Sequence, residues 1–251
     1  MKIRELLEHI DSFAPFSLAE EWDNPGLLVG SLNAEAGKIA VCLDAVSSAV
    51  LEAEKHECNV LVCHHPVIFR GVKSITDSSE QGRTILEAVR RNIHIIAAHT
   101  NWDKAPGGVN DTLAALLGLK DTQPLDELGV CGKITPAMFR PAFLEHVKQS
   151  WGLTHIDYYG QPAKISRVAL CGGSGSEFWR AAKDLRADIY LTSDMKYHEL
   201  SDAVNEGLAV GLVNHGEMER ASLPELARKI SLGGFETELL DVKALPEPMR
   251  L

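Results

Sequence analysis

Residues 39–65 and 168–194 of this 251-residue chain can be laid over each other without a gap. Ile39 falls on Val168, Ala40 on Ala169, Val41 on Leu170 and Cys42 on Cys171. Ala53 falls on Ala182, Asn59-Val60-Leu61-Val62 on Asp188-Ile189-Tyr190-Leu191, and His64-His65 on Ser193-Asp194. Each copy reads as an apolar strand, a helix, an apolar strand and then polar residues. Unrelated βαβ units share that outline, because a strand buried on both faces is always a short apolar run. Polar residues recurring at the same strand ends favour a duplication. A second correspondence lies further on, where His99 and Asp103 match His215 and Glu219, both pairs four residues apart after an apolar strand. The expected fold is α/β: two similar α/β domains from an internal duplication, with a metal site in the cleft between them. Open α/β sheets bind ligands beyond the C-terminal ends of their strands.

The remaining elements fit this frame. MKIRELLEHIDSF reads as an amphipathic helix, and the charges that interrupt it throughout exclude a signal peptide. KIAVCLDA, NVLVCHHP and IHIIAAH are buried strands, with Ser47 as N-cap of a helix to about Lys55 and a further helix near Ser79 to Arg91. Asn110 is placed to cap DTLAALLG. The polar stretch Lys120–Glu127, with Pro124 inside it, reads as the link between domains. The expected domains are 1–125 and 126–251, the segment from about 222 packing back on the first. Beyond the link come strands near Val130–Ile134 and Ile156–Tyr159, then RVALCGG, DIYLTSD and LAVGLVN, with helices between them. Pro224 suits the first turn of a helix to Ile230, and FETELLDV reads as a last strand. Strands alternating with helices imply largely parallel sheets.

Chemistry concentrates at three strand ends. In VLVCHHP, two histidines end a run that should be buried, and both can meet one site only if the chain turns there, as Pro66 suggests. HTNWD adds His99 and Asp103, and HGEMER adds His215 and Glu219, one helical turn apart. Each motif alone is weak, and a lone histidine is usually structural. Three together, all rich in metal-ligand types, point to a metal centre of His64, His65, Asp103, His215 and Glu219. Imidazole and carboxylate without thiolate suit zinc, iron, manganese or nickel and disfavour calcium. Five ligands exceed the three of a single catalytic zinc site, so two divalent ions bridged by a carboxylate are expected. Such a pair lowers the pKa of bound water toward neutrality.

Asp194 and His198, in TSDMKYHEL, stand where the first copy carries its histidine pair. They are candidate catalytic groups against the alternative of a plain helix cap. His99 is a catalytic candidate or a residue that orients a ligand. Asp23 and Asn24 in EEWDNPG read as turn formers. Gly172-Gly173-Ser174-Gly175 before a helix is a candidate phosphate cradle, though glycine-rich βα turns are common without that role. His9, His56, His94, His146 and His155 have no supporting pattern.

Composition weighs against several classes, nucleic acid among them, while leaving room for a local positive funnel. With 25 Lys and Arg against 35 Asp and Glu, the formal charge of −10 lacks the basic footprint of a nucleic-acid binder. The five cysteines form no C-x-x-C pair, and their odd number suggests no disulfide framework. No apolar run approaches the roughly 20 residues a membrane span needs. A cytoplasmic protein is expected, with no membrane partner.

WDNPGLLVG, HHPVIF, HTNWD, the GG-S-G turn, TSD with a following His, and HGEMER resemble, in residues and in order, the dinuclear-metal family of GTP cyclohydrolase 1 type 2 homologues, the Nif-three-like proteins. The resemblance runs along nearly the whole chain. It implies that His64, His65, Asp103, His215 and Glu219 are metal ligands and that two similar α/β domains assemble into a toroidal homohexamer. At 251 residues the chain matches the short form that lacks an inserted middle domain. Where the family usually has TGD, this chain has Thr192-Ser193-Asp194. The resemblance implies hydrolysis at a carbon such as C8 of a purine nucleotide, whereas two-metal chemistry equally permits attack at phosphorus. The rival expectation is a non-catalytic metal-binding ring that carries metal or serves as an interaction platform.

Overall fold

Ile3, Leu6 and Ile10 recur every three or four residues, which sets them on one face of a helix, and all three are buried. They belong to α1 (Ile3–Phe13) in a computed structural model that describes residues 1–245. Tertiary contacts divide the described chain into two units, Met1–Pro106 together with the described residues from Leu223 on, and Gly107–Ser222.

In the first unit, α1 is followed by β1 (Gly26–Val29), β2 (Lys38–Asp44), α2 (Ser47–Lys55), β3 (Cys58–His65), α3 (Glu80–Arg90), β4 (His94–Ala97) and α4 (Thr100–Lys104). β2, β3 and β4 run parallel, and β1 adds antiparallel outside β4. Ile39 to Leu43 and Val60 to Cys63 are all buried. Burial on both faces is the condition of a parallel strand between helix layers, and each such aliphatic side chain contributes about 1.5–3 kcal/mol. Ser79 caps α3 by accepting the N–H of Gly82 at 3.0 Å. Ser47 is not the cap expected for α2 but its first residue. Its N–H and Oγ–H both donate to Glu80 at 2.7 Å, so α3 supplies the acceptor for the start of α2.

The second unit comprises α5 (Val109–Leu116), β5 (Lys120–Leu125), β6 (Gly129–Phe139), α6 (Arg140–Trp151), β7 (Ile156–Tyr159), β8 (Lys164–Leu170), α7 (Trp179–Asp184), β9 (Ile189–Thr192), α8 (Tyr197–Asn205), β10 (Ala209–Val213) and α9 (His215–Arg220). Its sheet has the order β5-β6-β8-β9-β10-β7. The central β8, β9 and β10 are parallel, and the strands outside them are antiparallel. The polar stretch read as a link is β5, paired to β6 and exposed except at Leu125. An edge strand tolerates both that polarity and Pro124. Asn110 lies inside α5 rather than capping it, and its Oδ1 accepts the N–H of Gly172 at 2.8 Å.

The chain then returns to the first unit through α10 (Leu223–Ser231) and β11 (Thr237–Leu239), which pairs parallel to β2. Residues 107–125 therefore lie with the second unit, tied there by the β5–β6 ladder, and the described residues from Leu223 on lie with the first.

The two units repeat one plan. α1-β1-β2-α2-β3-α3-β4-α4 is matched by α6-β7-β8-α7-β9-α8-β10-α9, and the strand order β1-β4-β3-β2 by β7-β10-β9-β8. The ladders keep the gapless register: Ile39 faces Val60, and Val168 faces Ile189. Further on they shift the second correspondence by one residue. Val60 faces His94 and Ile189 faces Ala209, so His94 is equivalent to Ala209 and His99 to Asn214, not to His215. His99 and Asn214 are indeed the N-caps of α4 and α9.

Candidate metal centre

His64 and His65 are the last two residues of β3, and Pro66 ends the strand. The neighbouring β4 stops at Ala97, and the chain enters α4 through His99. Ring centroids are 5.0 Å apart for His64 and His65, 5.1 Å for His64 and His99, and 5.7 Å for His65 and His99. One ring nitrogen from each lies within 4.8 Å of the other two. Asp103, one turn into α4, brings Oδ1 to 3.6 Å from His64 Nε2, with both side chains buried. The first unit thus gathers His64, His65, His99 and Asp103.

What fixes these rings is oxygen on the far side. His64 Nδ1 donates to the carbonyl of Ala98 at 2.9 Å, His65 Nδ1 to Asp44 Oδ1 at 2.7 Å, and His99 Nδ1 to Asp23 Oδ1 at 2.8 Å. A carbonyl or carboxylate oxygen only accepts, so each Nδ1 carries the hydrogen and each neutral ring keeps its lone pair on Nε2. Histidine metal ligands are held in this way, by an outer carboxylate or carbonyl that sets tautomer and orientation. Burial pushes the Asp23 carboxyl up, but hydrogen bonds from His99 and from Thr100 outweigh it and hold Asp23 at about 2. It is an ionised acceptor at neutral pH.

In the second unit, Asn214 accepts the N–H of Glu217 at 3.0 Å and starts α9 at His215. One turn later Glu219 places Oε1 3.1 Å from His215 Nε2. His215 Nδ1 donates to Asp194 Oδ2 at 2.6 Å, so here too the Nε2 lone pair faces the carboxylate. A lone pair and a carboxylate oxygen at that distance repel unless a proton or a metal ion lies against both, and about 3 Å separates neighbouring ligands on one ion with bonds near 2.1 Å. Gly173, at φ +66°, leaves the room: a Cβ there would meet Glu219 Oε1 at 2.4 Å. The donor set fits a transition-metal ion. Burial raises the Asp194 carboxyl, but hydrogen bonds from His215 and from the Ser174 hydroxyl, 3.0 Å away, bring it below its usual value.

Asp194 touches the metal-ligand candidate directly and is placed to orient it. His198 is exposed, and its ring packs edge-on against Tyr197. In the glycine turn, the N–H of Gly172 is taken by Asn110 and that of Gly175 by Thr192, and only a three-residue 3-10 turn follows directly. Two of the donors a phosphate would use are therefore engaged. Among the histidines without a pattern, His9 and His146 donate to the carbonyls of Lys229 and Leu117, and burial of His94 lowers its pKa. All five cysteines are buried thiols. Sequence reasoning missed Asp44 and the role of Asp23. The one available signal for Asp44 was its position at the end of KIAVCLDA, which the parallel ladder sets opposite His65.

The family model described as Duf34/NIF3 (NGG1p interacting factor 3) matches residues 1–246. A protein of Lactococcus lactis subsp. lactis named "GTP cyclohydrolase 1 type 2 homolog" is 36% identical over 237 residues, covering 92% of this chain and 91% of its own. One from Clostridium perfringens with the same name is 33% identical over 239 residues, at 92% and 91% coverage. Among solved structures, Staphylococcus aureus hypothetical protein SA1388 aligns with a TM-score of 0.91 at 27% identity, over 100% of this chain and 99% of that one. The Bacillus cereus protein related to NIF3 aligns at 0.93 and shares the fold at 23% identity, over 100% and 99%. With the whole described chain matched and the histidine clusters in place, this protein belongs to the Duf34/NIF3 family.

Proposed function

We propose that this chain binds two divalent transition-metal ions, through His64, His65 and Asp103 of the first unit and His215 and Glu219 of the second, and uses them to hydrolyse a nucleotide-like substrate. The observation that carries the reading is the common tautomer. Four imidazoles, His64, His65, His99 and His215, each spend Nδ1 on an oxygen acceptor, which turns Nε2 of each ring toward the candidate centre. Two such rings face a carboxylate through Nε2, at 3.6 Å for Asp103 and 3.1 Å for Glu219. Folded chains seldom bury imidazole against carboxylate unless a charge is balanced there. When bound, the ions would supply Lewis acidity and an activated water. The protein's own part is to hold the rings through Asp44, Ala98, Asp23 and Asp194. His99, with its Nδ1 on an ionised Asp23, is placed to take a proton at Nε2. The names of the relatives at 33% and 36% identity support a nucleotide as substrate.

The test is turnover of a panel of nucleotides and phosphoesters by the protein reconstituted separately with zinc, iron, manganese and nickel, with metal content measured beside it. The reading expects close to two ions per chain and formate release from GTP. Phosphate release would move the activity to phosphoester hydrolysis. Two bound ions without turnover of any compound would leave a metal-carrying or platform protein, and failure to retain metal would defeat the proposal.

A further inference from the structure

Trp22 is 59% exposed and Phe69 40% exposed, yet neither lies on a loose segment. The loop before β1 is tied down on both sides of Trp22, through Glu20, Asp23 and Asn24. Glu20 N–H donates to Thr100 Oγ1 at 3.0 Å, and the Glu20 carboxylate pairs with Lys104 at 2.6 Å. Asp23 holds His99 on one oxygen and accepts the Thr100 N–H at 3.0 Å on the other. Asn24 Nδ2 donates to the carbonyl of Ile68 at 2.6 Å, which fixes the loop bearing Phe69 beside the loop bearing Trp22. The two rings meet with centroids 5.6 Å apart. Both also stand edge-on to His99, Trp22 at 6.2 Å and Phe69 at 6.1 Å. Two large aromatics held rigidly in solvent, against a histidine of the candidate metal centre, cost hydration without filling a core. On the loop that follows Phe69, Arg70 and Lys73 are exposed and, among the described residues, pair with no carboxylate, in a chain whose formal charge is −10.

We propose that Trp22 and Phe69 form the wall on which a purine nucleotide stacks its base beside His99, with Arg70 and Lys73 attracting its phosphate. The proposal deepens the hydrolase reading by naming the residues that hold the base and the phosphate of the nucleotide, and it rests on that reading only for what happens after binding. An aromatic face receives any planar heteroaromatic ring, and base stacking on a single side chain is worth a factor of about ten in affinity, at the lower end of what alanine substitutions cost. Cations on the adjoining loop add attraction for a phosphorylated ligand over the free nucleoside.

Trp22 also supplies the probe. The chain has four tryptophans, and the other three, Trp102, Trp151 and Trp179, are buried. Quenching by a stacked base will therefore be read at Trp22. The full-length, metal-loaded protein is titrated with GMP, guanosine and ribose 5-phosphate, with metal content and sedimentation followed in parallel. The expected result is quenching by GMP, weaker binding of guanosine, and no quenching by ribose 5-phosphate. Trp22→Ala and Phe69→Ala should each weaken GMP binding about tenfold in equilibrium dialysis, at unchanged metal content, and Trp22→Phe should restore most of it. Arg70→Ala combined with Lys73→Ala should bring GMP down toward guanosine. The wall is overturned if Trp22→Ala binds GMP like the parent, or if Trp22→Ala and Phe69→Ala dissociate an assembly while leaving GMP affinity intact, which would make the aromatics a contact between copies. Quenching by GMP in a protein that retains no metal would sustain the wall and defeat the metal reading. Two bound ions without quenching by any nucleotide would do the reverse.

Discussion

A Cβ placed on Gly173 would lie 2.4 Å from Glu219 Oε1, where ordinary contact needs about 3.5 Å, so something must give by about 1 Å. The backbone of Gly173 is the less yielding side. Its carbonyl accepts three donors, Ser193 N–H at 3.1 Å, Thr192 Oγ1 at 3.0 Å and Ser193 Oγ at 2.6 Å. The Glu219 carboxylate should therefore move, and it starts 3.1 Å from His215 Nε2. Metal–ligand distances tolerate only about 0.2 Å, so Gly173→Ala should lower Zn²⁺ affinity by at least about tenfold. The same substitution also forces alanine into the left-handed region, at a cost of about 1–2 kcal/mol. Gly152→Ala separates the two effects. Gly152 has φ +67° against +66° at Gly173, and nothing lies within 4 Å of its Cβ position. Both variants should lose about the same stability in urea unfolding of the metal-free protein. Only Gly173→Ala should lose Zn²⁺ in competition with a chromophoric chelator. The reasoning fails if Gly173→Ala binds Zn²⁺ within twofold of the parent, or if Gly152→Ala loses affinity equally.

Asp44→Asn replaces the carboxyl acceptor 2.7 Å from His65 Nδ1 with an amide and should reduce metal affinity about 10–100-fold at unchanged circular dichroism, as measured by chelator competition. Glu80 is held at about 2 chiefly by its hydrogen bond from the Ser47 hydroxyl, then by the Ser47 N–H and Arg83. A carboxyl depressed in the folded state adds stability above its unfolded pKa of 4.5 and loses it as pH falls toward about 2. Glu80→Gln should cost about 1 kcal/mol at pH 7, discounted because the side chain is 46% exposed, and should flatten the stability profile between those limits; parallel profiles for both proteins would refute it. The resemblance to ring-forming proteins leads to a homohexamer at micromolar concentration, checked by light scattering; a monomer that retains two ions would remove the ring and keep the metal centre.

The ligand candidates could be read from sequence because each stands where an apolar run must stop. A histidine pair after VLVC, or His and Glu one turn apart after LAVGLV, has no use in a sheet interior, so its chemistry shows against the run before it. The duplication was legible for the same reason: Ile39 on Val168 and Val60 on Ile189 are core positions, and burial dictates residue type there. Anchors on the surface of that pattern were not legible. Asp44 reaches His65 only because β2 and β3 pair in one register, and Asp23 reaches His99 and Thr100 from a loop far back in the chain. The equivalence of His99 with Asn214 rather than His215 is likewise a property of ladder registers, which no spacing of His and acid residues reports. Lys120–Leu125 looked like a linker because an exposed edge strand buries almost nothing, so no periodic apolar signal is imposed on it. Local sequence records what burial demands of a single residue. Which polar groups meet across the fold is decided by strand pairing and by the return of β11 to β2, interactions of the backbone that any side chain can share.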